Sequence, residues 1–186
     1  MEKDSKIFSN NILLSNLIKI RWIAITGQLT SILIVYYYLQ INIPILLCLI
    51  FVLFSTIVNL TSFYLKKNNN YLSDKEAFLF LLFDTIQLSM LLYLTGGIYN
   101  PFSLLLIAPL IISASYLPIV FSIILSSLSV LIVFLLSFFY IEINWSESFV
   151  VPHLFTYGLI LSLIISIIFI TVYVYIFSNS SRKISA

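Results

Sequence analysis

Residues 117–140 read LPIVFSIILSSLSVLIVFLLSFFY, with no charged side chain between Leu117 and Tyr140. A helix needs about 20 consecutive apolar residues to cross the hydrocarbon core of a bilayer, and this run is long enough. Toward the amino terminus, similar runs cover Phe102 to Tyr116, Ala77 to Thr95, Ile43 to Leu65 and Ile20 to Leu39; toward the carboxyl terminus one covers Val151 to Phe177. The expected fold is all-α, a polytopic membrane bundle of six transmembrane helices whose fourth member is short. Composition agrees: 61% of residues are apolar and 9% charged, against roughly 25% charged in ordinary soluble domains. A globular cytosolic protein is excluded.

With the amino terminus in the cytoplasm, all nine basic residues fall on the inner side. Lys3, Lys6, Lys19 and Arg21 precede or open the first span, Lys66, Lys67 and Lys75 lie between the second and third, and Arg182 and Lys183 follow the last. Under the positive-inside rule this segregation favours six spans with both termini cytoplasmic, since one span more or fewer would divide the basic residues between the faces. Residues 1–19 are then an interfacial segment, 20–177 the helical domain and 178–186 the start of a cytoplasmic linker. Within the first segment, Ile7, Phe8, Ile12, Leu13 and Leu17 are expected either to lie on lipid or to be disordered. Glu142, Glu147 and Trp145 fall outside. The first apolar run shows no small-residue cleavage site, so it is expected to remain as a helix.

Between the third and fourth runs stands Gly96-Gly97-Ile98-Tyr99-Asn100-Pro101-Phe102. Paired glycines admit backbone angles closed to other residues, and Asn-Pro couples a turn former to a residue suited to a helix's first position. On the outer face, such a turn could form a shallow cleft for a flat, partly polar ring on a lipid tail, which describes a quinone. Tyr93, Thr95 and Asn100 carry groups able to bond a ring carbonyl, and Tyr99 and Phe102 could stack on a ring. The same residues also suit a plain reversal between helices with belt tyrosines.

Asp84 is the only ionisable side chain expected well inside a span, where an unpaired charge is costly. Gln87 shares its helical face, and Thr85 and Ser89 are near. The pair Asp84 and Gln87 could relay a proton or signal, or could fix helix packing. Asp84 precedes Gly96 by twelve residues, about 18 Å of helix, too far to touch a ligand in the turn. Gly158, Ser162 and Ser166 form a small-residue ladder suited to self-association or to internal packing. Arg21 and Trp22 read as interfacial anchors, Cys48 as packing, and His153 as structural. One histidine provides neither bis-histidine haem ligation nor a metal cluster, so no metal is expected.

The stretch from Phe83-Asp84-Thr85-Ile86-Gln87-Leu88 through Gly96–Phe102 to Leu104-Leu105-Leu106-Ile107-Ala108-Pro109 resembles the membrane region of the RegB/PrrB/ActS family of redox-sensing sensor histidine kinases, whose GGxxNPF heptapeptide is matched throughout. Arg21-Trp22, Gly27-Gln28 and Ser181–Ser185 are similar to that family more weakly. The resemblance implies a six-helix sensory domain of the inner membrane, dimeric, binding ubiquinone near Gly96, Gly97, Asn100, Pro101 and Phe102, with Ile98 and Tyr99 in the motif's variable places. It implies signalling to a kinase module and a response regulator. These 186 residues contain neither a phosphoacceptor histidine hairpin nor an ATP-binding domain, so the chain alone is expected to be inactive as a kinase. Two rival classes stay open: a small transporter or channel subunit using Asp84 and Gln87, and a quinone-linked membrane enzyme subunit. Nothing in the chain suggests nucleic-acid binding.

Overall fold

The computed structural model describes residues 14–65 and 72–143, together with Gly158. Among them the chain is helical and forms no strand. Helix α1 covers Leu14–Leu33, α2 Ile45–Leu65, α3 Asp74–Leu94, α4 Ile107–Tyr116 and α5 Ile119–Phe138. Among the described residues, four helical stretches are long and apolar enough to cross a membrane, and Pro101–Tyr116 is a shorter apolar one. The expected sixth span, Val151 to Phe177, lies outside the described residues apart from Gly158, as do Glu147, Trp145 and His153.

The first helix begins earlier than the expected Ile20. Leu14, Leu17, Ile18 and Ile20 are buried against Leu81, Ile112, Leu117 and Leu125, so the apolar stripe that defines the helix continues below the basic residues. Leu17 therefore packs in protein rather than on a lipid surface. At its other end α1 runs into a π-helical turn over Ile34–Tyr38, a widened winding that a helix adopts only locally.

Helix α3 starts on a signature the apolar pattern does not reveal. Ser73 caps it, the Ser73 hydroxyl accepting from the Glu76 amide at 3.4 Å while Glu76 Oε2 accepts from the Ser73 amide at 3.0 Å. This reciprocal box satisfies amides that the first helical turn leaves open. Asp74 and Glu76 in that turn also suit the positive end of the helix dipole.

The reversal between α4 and α5 takes only Leu117 and Pro118. Ser122 Oγ donates to the Ser113 carbonyl at 2.9 Å and Ser113 Oγ to Ser122 Oγ at 3.0 Å, stapling the two helices beside it. Leu14, Leu72 and Leu117 gather at this end of the bundle. At the far end a second core joins Leu88, Leu92, Leu106, Ile132 and Leu136. A third, holding the fully buried Cys48, joins α1, α2 and α3 through Ile25, Val52 and Leu91. Outward faces are apolar as well: Leu46, Phe54 and Phe63 of α2 and Ile119, Val130 and Phe138 of α5 are exposed. That surface suits lipid rather than water.

Candidate functional site

Two groups of polar residues stand out, one at the turn after α3 and one between α1 and α3. The turn depends on glycine. Gly96 has φ 99° and Gly97 φ 61°, the left-handed region where a side chain is strained. Space is also lacking: a Cβ on Gly97 would lie 2.6 Å from the Leu136 carbonyl oxygen and 2.7 Å from Tyr140 Cβ, and one on Gly96 2.9 Å from Ile143 Cδ1. The turn is thus pressed onto the end of α5. The Ile141 amide donates to the Tyr93 carbonyl at 2.8 Å, fastening that end to the last turn of α3.

Asn100 ties the two halves of the turn together. Its Nδ2 donates to the Thr95 carbonyl at 2.9 Å and to Thr95 Oγ1 at 2.7 Å, while its Oδ1 accepts from the Phe102 amide at 2.8 Å. Thr95 passes its own hydroxyl hydrogen to the Leu91 carbonyl at 2.7 Å. Pro101 takes the first position of a tight 3-10 segment, Pro101–Leu106, where its missing amide hydrogen is no loss. Phe102 packs against the core of Leu88, Leu106 and Leu136. Tyr99, 63% exposed, meets Tyr140 edge-on at 5.7 Å. Gly158 reaches the same corner, with Pro101 Cγ 3.9 Å from where its Cβ would stand. Ser162 and Ser166 lie outside the described residues. The motif residues, Tyr93 and Thr95 are therefore brought together; Tyr140 is a member the heptapeptide did not announce.

The second group corrects the reading of Arg21. It is not an interfacial anchor but a buried cation, its Nη2 2.9 Å from Asp84 Oδ1 and its Nε donating to Asp84 Oδ2 at 3.1 Å. Nη2 also donates to the Phe80 carbonyl at 2.9 Å, and the guanidinium lies over the rings of Phe80 and Phe83 at 4.6 and 5.4 Å. The cause is the early start of α1, which carries Arg21 into the bundle. Asp84 is therefore not the sole charge within the helices, and a quarter of its side chain stays exposed. Its partner comes from α1 rather than from neighbours on α3: Thr85 bonds the Leu81 carbonyl and Ser89 the Ile86 carbonyl. Gln87 pairs instead with Gln28, each amide donating to the other at 3.1 and 3.3 Å. The one available signal was the carboxylate itself, since a charge in apolar surroundings needs a counter-charge. Trp22 is partly exposed. Among the described residues no His, Cys, Asp and Glu cluster could hold a metal.

Long apolar helices with lipid-suited faces, joined by tight turns and by an ion pair between helices, are those of a helical membrane protein. Over 162 residues, 86% of its length, the chain is 36% identical to the sensor histidine kinase RegB of Cereibacter sphaeroides, covering 35% of that protein. A second sensor histidine kinase RegB from that species is 38% identical over 76 residues, 41% of this chain and 16% of the relative. By this relationship the chain is similar to one part of a RegB-type sensor histidine kinase, and it spans about a third of the length of the longer-matching relative. No family model matches it. No solved structure matches it either.

Proposed function

We propose that the chain is the inner-membrane sensory part of a redox-responsive histidine kinase, binding ubiquinone at the outer turn Gly96–Phe102. The observation that carries this reading is the construction of the turn: two left-handed glycines press it onto the end of α5, so α3, the Pro101–Leu106 segment and α5 meet at one corner. A ring seated there touches three helical elements at once. Oxidised and reduced quinone bias the arrangement only through a difference in their binding to two states of it. The difference would pass through the corner, where Gly158 stands beside Pro101, to a kinase module and its response regulator in a homodimer.

Pairing of Asp84 with Arg21 and of Gln87 with Gln28 supports a packing role for both, rather than a transport path.

Titration of the chain in lipid nanodiscs with ubiquinone-1 tests the ligand. Binding that weakens in Phe102→Ala is expected, and equal affinity in that variant counts against the site. Orientation has its own check: Tyr99→Cys should react with an impermeant maleimide added outside intact spheroplasts, against the background of the buried Cys48 thiol. Reaction only after the inner face is opened reverses the topology.

A further inference from the structure

The heptapeptide's one amide side chain is already engaged. Both amide hydrogens of Asn100 go to Thr95, its oxygen takes the Phe102 amide, and the Thr95 hydroxyl hydrogen goes to Leu91. A ring carbonyl needs a donor, and neither Asn100 nor Thr95 has one left. Among the donors that remain at the corner, the ones carried on flat rings are phenols. Among the described residues, no side chain or backbone group bonds the hydroxyl of Tyr99 or Tyr140; their one mutual contact is between rings.

Tyr140 is also the side chain on which the second glycine closes. The absent Cβ of Gly97 would fall 2.7 Å from Tyr140 Cβ and 2.8 Å from its Cγ, and the next residue, Ile141, is fastened to Tyr93 through its amide. The root of the Tyr140 side chain is thereby fixed by the turn and by α3, while its ring leans on exposed Tyr99. A preset aromatic pair with open hydroxyls is what recognition of a flat, carbonyl-bearing ring requires.

We propose that Tyr140, outside the heptapeptide, is a ligand-contacting residue that forms with Tyr99 an aromatic wall and supplies a phenol donor to a ring carbonyl, whereas Asn100 and Thr95 are positioning residues. The inference rests on reading the corner as a quinone site and adds the side chains that touch the ring. It makes Gly97 a specificity element as well, since any side chain there displaces Tyr140.

The experiment is calorimetric titration of the whole chain in nanodiscs with ubiquinone-1, alongside thermal unfolding of each variant. Tyr140→Phe keeps the ring and should weaken binding by about 3- to 10-fold, the worth of one net hydrogen bond, with an unchanged melting temperature. Tyr140→Leu should weaken it further. Thr95→Val should lower melting temperature and affinity together, and Thr95→Ser should restore both by retaining the hydroxyl. If the unaltered chain binds and both Tyr140 variants bind equally well, the assignment of Tyr140 is overturned while the quinone site stands. If the unaltered chain does not bind, the quinone reading fails and this inference with it. A wild-type response in Thr95→Val overturns the positioning role.

Discussion

The corner after α3 and the polar seam between α1 and α3 solve opposite problems. At the seam, charged and amide side chains are held in apolar surroundings by partners on another helix: Arg21 by Asp84, Gln28 by Gln87. At the corner the shape comes from backbone angles and missing side chains, with Asn100 closing the turn through bonds to its immediate neighbours. A paired group tolerates joint replacement better than single removal, because the cost arises from the partner left behind. A missing Cβ has no such remedy. The seam should therefore be correctable by a second substitution and the corner should not.

The largest effect that tests this contrast is Asp84→Ala, which leaves the Arg21 guanidinium buried without its counter-charge. Unfolding in detergent should register a loss of about 3–5 kcal/mol. In the double variant Arg21→Leu with Asp84→Leu, most of that loss should be recovered; a double variant as unstable as the single would show that the seam needs its charges. Next comes Gly97→Ala. Overpacking against the Leu136 carbonyl and Tyr140, added to the left-handed angle, should cost about 1–3 kcal/mol, with no rescue from trimming Tyr140 to alanine, because the carbonyl and the Tyr140 Cβ remain in the way. Rescue by Tyr140→Ala would place the clash on the Tyr140 ring alone. Asn100→Ala removes the cap of the Pro101–Leu106 segment and the clamp on Thr95, and a drop of about 1–2 kcal/mol is expected from thermal unfolding. The smallest belongs to Gln28→Ala, about 0.6 kcal/mol on the scale measured for polar pairs between membrane helices. A loss several times larger would make the amide pair, rather than the ion pair, the principal fastening of α1 to α3.

The two regions also differ in how far they could be read from sequence. The corner is a run of consecutive residues, so its glycines, Asn-Pro step and flanking tyrosines announced a tight turn, and the structure contains one. Tyr140 could not be read the same way, since it arrives from the end of α5, held there in part by Ile141's bond to Tyr93. The seam was half legible. Asp84 demanded a partner, but Arg21 lies 63 residues away and stood where a cation ordinarily anchors a helix end. Placing the start of α1 at Ile20 made that reading natural; Leu14, Leu17 and Ile18 move it by carrying the buried stripe below the arginine. Among the described residues, helix existence and order follow from apolar length, because few folds other than a helical bundle can bury such runs in lipid. Boundaries did not: Ser73 and Glu76 set one of them by hydrogen bonds that hydropathy cannot register.

The 3-10 winding of Pro101–Leu106 has a consequence for reach. Such a coil rises about 2.0 Å per residue, where an α-helix rises about 1.5 Å. Its six residues and the ten of α4 together extend about 27 Å, instead of about 24 Å if wound uniformly as α-helix. The shortest apolar stretch among the described residues thus comes within a few ångströms of the hydrocarbon thickness, about 30 Å, by stretching its own first turns and without adding a residue.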